Sequence, residues 1–493
     1  MKRTPLIIGG IAGVAILWSG AWYAGKVLYV EPRADAAVEQ LRSGATFFSF
    51  DKRSVTGFPF GYDVAYEDVA ISDASTLWRW TAPLIRLETG LADAGEMKVT
   101  MSDASVLVIE APLLGGAADG SPMIFNIASE GLEATLTGNA TDNSAVIEAD
   151  NVSVTQKEGA SIVTGGEANL SSLKATIETQ PEEGAYLADA DAASLTIAYR
   201  LSTDGVNESF NRSELTGVKI DLETKALSGG DLGAIIANDG LAKVTVSTDG
   251  YKGEATSAGG PSTPPVSVTH EGGKTAAELS ISDGRARYAG NAQDVEMNVE
   301  TQALGPFPGV AFVMDGFEMS MEMPLKQADE AQPYAIEVEL DDLAIDETVW
   351  VVFDPQKKLD RSAMQLEVNI TGDARLLTDF QGAAMTQSPI DLETFEIAEF
   401  ELEALGASVD AQGGFEIAGD ASRSSGEMEV VVEGGLALLD NLSAAGLIPV
   451  EALGAYQGLI AQFTVRDGVD DKLTTKIESR RGQVSINGLV VSQ

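Results

Sequence analysis

Few residues of this 493-residue chain have the chemistry of a nucleophile or a soft metal ligand. His270 is its one histidine, and it has no cysteine. Cysteine nucleophiles, thiolate metal sites and disulfides are therefore excluded, and no Gly-x-Ser-x-Gly elbow supplies an activated serine. A lone histidine without these partners is expected to be a loop residue rather than a catalytic base.

Acidic residues are abundant, but their spacing indicates no catalytic or metal site. The 75 Asp and Glu residues include no calcium-loop pattern. Gly273-Lys274-Thr275 is similar to the end of a phosphate-binding loop, yet Val268 stands where that motif needs glycine, so a turn between strands is predicted. We expect no catalytic residue, no cofactor and no metal. A glycosidase, which needs only two carboxylates, is kept as the least favoured alternative.

One apolar stripe could hold a ligand. It alternates with Glu318, Ser320 and Glu322, so its members share one side of a predicted strand. Methionine adapts to variable apolar ligands, although a methionine stripe equally suits a packed core. The residues predicted to line a lipid site are Phe317, Met319, Met321 and Met323.

The charge of the chain excludes one class of partner. There are 32 Lys and Arg against 75 Asp and Glu, which gives a net charge of −43. A surface of this sign repels phosphate backbones, so nucleic-acid binding is not expected.

A period of two dominates the sequence after residue 46. Short runs alternate apolar and polar residues between Gly, Asn, Asp and Ser, and the polar side is mostly acidic. Strands that are apolar on one face only predict a mainly β fold. We expect a long antiparallel sheet, curled into a groove. Residues 435–463 have helical spacing on both sides of Pro449 and predict a helical hairpin, while 231–238 and 374–385 are weaker helical candidates.

The N-terminus predicts a membrane anchor. Lys2 and Arg3 precede an uncharged run over 4–25, which is long enough to cross a bilayer. The positive-inside rule leaves the N-terminus in the cytoplasm and the body in the periplasm, with 1–30 as tip and anchor in the inner membrane. A signal peptide cleaved after the small residues 19–21 is the alternative. A stalk helix is predicted over 31–45.

A partial internal repeat predicts two related β-lobes, 46–302 and 303–493. Asp68-Val69-Ala70-Ile71 precedes Trp78 and Pro83, and Asp342-Leu343-Ala344-Ile345 precedes Trp350 and Pro355. Each tryptophan stands five residues before its proline, and the loop before the second tryptophan is two residues shorter. The two tryptophans are expected at equivalent, largely buried places, each before a proline that ends strand pairing. The entry motif Gly57-Phe58-Pro59-Phe60 has a looser counterpart at 305–308.

The signature around Trp350, Phe353, Asp354 and Pro355, with the following "KKLDRSAMQLEVNITGDA", resembles a domain-of-unknown-function family of membrane-anchored proteins of alphaproteobacteria. The Gly57–Phe60 entry, the Trp78 segment and the C-terminal "DDKLTTKIESRRGQVSINGLVV" resemble it too. The family usually has Pro-Arg-Asp-Pro after the leucine of this signature. In this chain Leu359 is followed by Asp360-Arg361-Ser362-Ala363 instead. The family is distantly similar to AsmA-like envelope proteins, and this resemblance implies a curled sheet with an apolar groove.

These observations favour a non-enzymatic envelope protein that shelters or transfers lipid in an apolar groove. The alternative is a structural protein with a closed core that docks envelope partners. The expected partners are therefore the inner membrane, lipid and envelope proteins.

Overall fold

The structure is a computed structural model, and the chain divides into two compact units. The first unit contains residues 1–182 and 186–218, and the second contains 183–185 and 219–493. The predicted lobe boundary at 302 stays a prediction. The structure describes residues 19–492 except for 20, 33, 36–37, 40–45, 74–76, 91–94, 111–121, 139–142, 159–162, 181–184, 203–207, 226–239, 260–263, 302–308, 378–389, 418–423, 467–470 and 481.

Strands make up nearly all of the first unit, as the alternating sequence predicts. β3 and β4 are paired along their length, from Gly61 opposite Gly90 to Ser72 opposite Arg79. The strands are β1 (Thr46–Ser49), β2 (Lys52–Thr56), β3 (Gly61–Asp73), β4 (Trp78–Gly90), β5 (Glu96–Met101), β6 (Ala104–Ile109), β7 (Met123–Glu130), β8 (Glu133–Gly138), β9 (Asn143–Glu158), β10 (Val163–Gln180) and β11 (Ala185–Ser202).

β12 (Glu208–Lys225) leads from the first unit into the second, which has antiparallel strands and three helices in its described part. Its strands are β13 (Leu241–Thr248), β14 (Gly250–Ser257), β15 (Val266–Gly272), β16 (Thr275–Ser282), β17 (Arg285–Thr301), β18 (Gly309–Pro324), β19 (Gln332–Ile345), β20 (Met364–Leu376), β21 (Ile390–Leu392), β22 (Thr394–Ala404), β23 (Ala407–Glu416), β24 (Ser425–Glu433), β25 (Val465–Arg466), β26 (Lys472–Arg480), β27 (Gln483–Ile486) and β28 (Leu489–Ser492). The helices are α1 (Glu347–Phe353), α2 (Gly435–Ala444) and α3 (Val450–Phe463). β13 pairs with β16 and β15 with β17, and from β17 to β20 the strands pair in chain order.

The helical hairpin predicted over 435–463 is confirmed as α2 and α3. Among the weaker helical candidates, 231–238 lies outside the described residues. The helix predicted over 374–385 is wrong at its start, because residues 374–376 are the last residues of β20 and pair with β21. His270 lies on β15 rather than in a loop, opposite Gly253 and Met297.

Several long strands contain one residue in the left-handed backbone region. Asp68 and Ser172 in the first unit, and Asp294 and Asp342 in the second, have φ between 49° and 54°. Asp68 breaks the β3–β4 ladder opposite Pro83 without shifting its register, since Glu67 pairs with Leu84 and Val69 with Ala82. At Asp342 the β19–β20 register does shift, between Leu340 and Leu343, as in a β-bulge. Aspartate tolerates the left-handed region better than most residues. The curl of the whole sheet stays a prediction.

A compact apolar cluster lies at the start of the first unit. It contains residues of β1 to β3 that are buried: Phe48, Val55, Val64, Tyr66 and Val69. The N-terminal helical segment, whose described positions between 21 and 39 are helical with a π turn at Lys26–Val30, packs on this cluster. The described positions of the predicted stalk helix, 31–32, 34–35 and 38–39, are helical, and Val38 is buried in this cluster. The rest of the span 31–45 lies outside the described residues, so the stalk stays a prediction.

The described residues from 19 onward contain no helix that is both long and apolar enough to cross a bilayer. Most of the apolar run over 4–25 precedes them. The anchor therefore stays a prediction.

Candidate functional site

The four residues predicted to line a lipid site lie on β18 and share one face of the second unit's sheet. Phe317, Met319, Met321 and Met323 are all half-buried. Small residues stand opposite three of them on β17, where Ala292, Gly290 and Ala286 pair with Phe317, Met319 and Met323, while Tyr288 pairs with Met321.

The same apolar face continues across β19, β20 and β22 because the registers keep its residues aligned. Met319 lies opposite Val338, Val338 opposite Val368, and Val368 opposite Phe400. We call this surface the methionine face. It comprises Phe317, Met319, Met321 and Met323 on β18, Ile336, Val338 and Leu340 on β19, Leu366, Val368 and Ile370 on β20, and Ile397, Phe400 and Leu402 on β22.

The residues of the methionine face are half-buried rather than buried, so part of each side chain stays open to solvent. Within the second unit, strands β17 to β22 make their close contacts mainly with neighbouring strands, apart from α1 against β18. A sheet normally buries its apolar face against a second element, so this face has the character of a surface that binds something.

An open cavity of about 490 Å³ crosses the sheet from β13 and β16 to β20. Its lining includes the row Ala277, Gly290, Met319, Val338 and Val368. Tyr288 lies over Gly290, where an added Cβ would stand 2.7 Å from the tyrosine hydroxyl. The cavity is lined by flanking residues such as Glu318 and Glu339 as well as by the central row, so it is not purely apolar.

The opposite face carries a ladder of carboxylates. Glu318, Glu339, Glu367 and Glu401 stand directly opposite one another on four successive pairing strands. Like charges at this spacing repel. The charge of Glu399, then desolvation and the charges of Glu339 and Glu401, raise the pKa of Glu367 above its ordinary value.

Three of these carboxylates stand at metal-ligand spacing. Oxygen atoms of Glu367, Glu399 and Glu401 lie within 4.8 Å of one another, and all three residues are exposed. Calcium takes six to eight oxygen ligands, which is more than the three exposed carboxylates supply by themselves. Their like charges repel one another.

Replacing Glu367 by Gln is expected to stabilise the chain at neutral pH. A raised pKa means that the folded chain binds the proton more tightly than the unfolded chain, so the ionised group destabilises the fold at pH 7 and the penalty disappears as the pH falls through that pKa. Thermal unfolding should therefore show a higher midpoint for Glu367→Gln at pH 7 and no gain in acid. Glu403→Gln is the control, because Glu403 faces Gln365 and Ser408 rather than acids. Equal effects of the two changes would contradict the ladder.

The predicted signature residues around Trp350 form a small buried cluster. Trp350 on α1 is 4% exposed, and Asp354 and Leu359 after it are also buried. Asp346 caps α1 by accepting a hydrogen bond from the Thr348 N–H at 2.8 Å. Arg361 stacks over the Trp350 ring at 5.1 Å and pairs with both carboxylate oxygens of Glu347.

Asp354 holds the chain that follows α1. Its Oδ2 accepts a hydrogen bond from the Leu359 N–H at 2.9 Å, and its backbone carbonyl accepts one from Arg361. Burial alone would raise the pKa of Asp354, but hydrogen bonds from the backbone of Lys358 and Leu359 and the charge of Arg361 outweigh it and lower that pKa. Pro355 follows in an exposed turn. The cluster is a structural clasp between β19 and β20.

The expected equivalence of Trp78 and Trp350 is wrong. Trp78 is the half-buried first residue of β4, opposite Ile109, whereas Trp350 is buried on a helix. Pro83 lies inside β4 and does not end it, whereas Pro355 follows α1. Asp68 and Asp342 do match, with φ of 54° and 49° in strand interiors. This shared left-handed aspartate gives a local reason for the repeat, and the counterpart at 305–308 lies outside the described residues.

The entry motif forms the turn between β2 and β3. The Gly61 N–H donates to the Gly57 carbonyl at 3.1 Å, and Gly57 has a φ of 105°, which favours glycine. Phe58 and Phe60 are exposed on this turn, and Pro59 is half-buried. The exposed aromatic pair had no assigned role in the sequence.

Residues 23–242 match a family of proteins. It is described as an uncharacterized protein conserved in bacteria (DUF2125). The matched stretch includes the Gly57–Phe60 turn, Trp78 and Pro83, and it ends in β13 before the methionine face and the Trp350 clasp begin. No curated protein and no solved structure matches the chain.

Proposed function

We propose that the chain is a non-enzymatic protein of the bacterial cell envelope that shelters or transfers lipid on the methionine face. The observation that carries this proposal is a continuous apolar face, four strands wide, whose residues are only half-buried. Burying such a face against acyl chains removes apolar surface from water at roughly 25 cal/mol per Å².

The N-terminal sequence supports a place at the inner membrane. We propose that the run over 4–25 remains as a single-pass anchor, with the N-terminus cytoplasmic and the body periplasmic. The resemblance to alphaproteobacterial membrane-anchored and AsmA-like proteins agrees with a lipid-handling sheet on this anchor. N-terminal sequencing of the mature protein tests the anchor, because a chain that begins at Trp22 would contradict it.

A binding titration tests the ligand class. We expect pyrene-labelled phosphatidylcholine to leave vesicles and bind the full chain, with loss of excimer emission as single acyl chains are separated. A fluorescent nucleotide is the control probe and should not bind, since the chain is strongly acidic. Excimer emission that stays unchanged over a large excess of protein would contradict lipid binding.

A partner-docking function is the second candidate. It is favoured by the outer side of α3, where Val450, Tyr456 and Leu459 are exposed and no residue of the helix is buried. Exposed apolar residues grouped on one helix are typical of a protein-binding surface. In that case the methionine face would be covered by a partner protein, and the pyrene probe would not bind.

A further inference from the structure

The turn between β2 and β3 exposes two aromatic side chains at one end of the first unit. Phe60 is 80% exposed and Phe58 is 48% exposed. Tyr23 and Leu28 on the neighbouring N-terminal helical segment are exposed as well. Large apolar side chains grouped in this way are costly in water and mark a surface that contacts something apolar.

The turn is fixed directly to the end of the apolar run. The Trp22 indole N–H donates to the Gly61 carbonyl at 2.8 Å, and the Tyr62 hydroxyl donates to the Trp22 carbonyl at 3.2 Å. The Trp22 ring stacks on Tyr62 and meets the edge of Phe58, each with centroids 5.5 Å apart. One turn further on, the Lys26 ammonium donates to the Val55 carbonyl at 3.1 Å. The medium around the end of the apolar run over 4–25, whether water or lipid, is therefore also the medium beside the turn.

The negative charge of the chain argues against an electrostatic attraction between the turn and anionic lipid headgroups. The chain carries a net charge of −43 and is repelled by anionic headgroups, and the basic residues near the turn are paired, Lys26 with Glu31 and Arg53 with Asp35. The attraction must then come from the aromatic rings, which favour the boundary between headgroups and acyl chains.

We propose that Phe58 and Phe60 insert into this boundary of the bilayer that residues 4–25 cross, and hold the start of the first unit on the membrane surface. The inference rests on the anchor that is part of the proposed function. It adds to the anchor a second contact with lipid, at the end of the first unit where β3 begins.

Depth-dependent quenching tests the proposal on the full chain. Because the chain has no cysteine, Phe60→Cys gives one labelling site for an environment-sensitive fluorophore. Phe47→Cys is the matched control: Phe47 is an exposed aromatic residue, 55% accessible, which pairs with Ser72 at the other end of β3, roughly 35 Å along the strand. Both proteins are reconstituted in phosphatidylcholine vesicles that contain doxyl-labelled phosphatidylcholine.

We expect the label at position 60 to lose most of its emission and the label at position 47 to keep it, without dependence on salt. If the chain floats with the vesicles but the label at position 60 is not quenched, the insertion is wrong and the anchor stands. If both labels are quenched equally, contact is not specific to this end of β3 and the proposal is also wrong. If the chain does not float, the anchor and the insertion fail together.

Discussion

Replacing Trp350 by Ala is expected to destabilise the chain by about 3–5 kcal/mol, the usual cost of truncating a buried aromatic residue. Trp350 is 4% exposed and carries the Arg361 guanidinium over its ring, so the change empties the clasp between β19 and β20. Arg361 also loses one of the surfaces that orient it towards Glu347 and Asp354. Urea unfolding followed by far-ultraviolet circular dichroism measures the change.

Val351→Ala is the matched control for this prediction. Val351 is the next residue of α1 but is 58% exposed, so its truncation should shift the unfolding midpoint little. Comparable losses for the two variants would mean that α1 as a helix, rather than the buried indole, stabilises this region. The clasp would then be described wrongly.

The change Met321→Glu is expected to leave the chain folded and to weaken binding of the pyrene-labelled lipid about tenfold or more, which corresponds to at least about 1.4 kcal/mol. An ionised carboxylate is costly in an apolar contact unless water follows it. On an open face water reaches position 321 in the free protein but not beneath a bound acyl chain. Thermal unfolding and lipid binding are measured on the same sample.

Gln293→Glu controls for the added charge. Gln293 lies on β17 opposite Gly316 and is exposed on the carboxylate side of the sheet. It should not change lipid binding. A closed core predicts the reverse pattern, in which Met321→Glu unfolds the second unit at a cost above about 4 kcal/mol and lipid never binds.

Alternation made the strands predictable. Tyr334, Ile336, Val338 and Leu340 alternate with acids on β19, and the apolar set is half-buried while Glu337 and Glu339 are exposed. The hairpin over 435–463 could also be predicted, because apolar spacing of three and four continues on both sides of Pro449. In both regions local pattern and tertiary packing require the same conformation.

Other elements depend on caps and long-range contacts that the local alternation of apolar and polar residues does not indicate. The α1 sequence "ETVWVVF" is rich in β-branched and aromatic residues, yet it is helical because Asp346 caps its start and the Trp350 ring packs under Arg361. The N-terminal helical segment lies on β3 because Trp22 bonds to Gly61, 39 residues away. Pro83 remains inside a strand because it faces Asp68, where the β3–β4 ladder is broken and no backbone N–H is needed.

The residues of the candidate site could be predicted from the sequence, but the openness of the face that they form could not. Spacing of two placed Phe317, Met319, Met321 and Met323 on one side of β18, and the register extends that side to Val338, Val368 and Phe400. Whether a second layer covers an apolar face is decided by long-range topology, so alternation could not distinguish an open face from a closed core. The aromatic pair in the Gly57–Phe60 turn had a detectable signal, since two phenylalanines in a tight turn are rarely buried together.

Native mass spectrometry of the full chain, released from detergent, tests the lipid-sheltering account most directly. The account predicts a species heavier than the 51.6 kDa polypeptide by the mass of a phospholipid, with the lipid identified after extraction, and a Met321→Glu variant that carries less of it. The bare polypeptide mass for the wild-type chain, under release conditions that keep lipid on a known lipid-binding protein, would contradict the account.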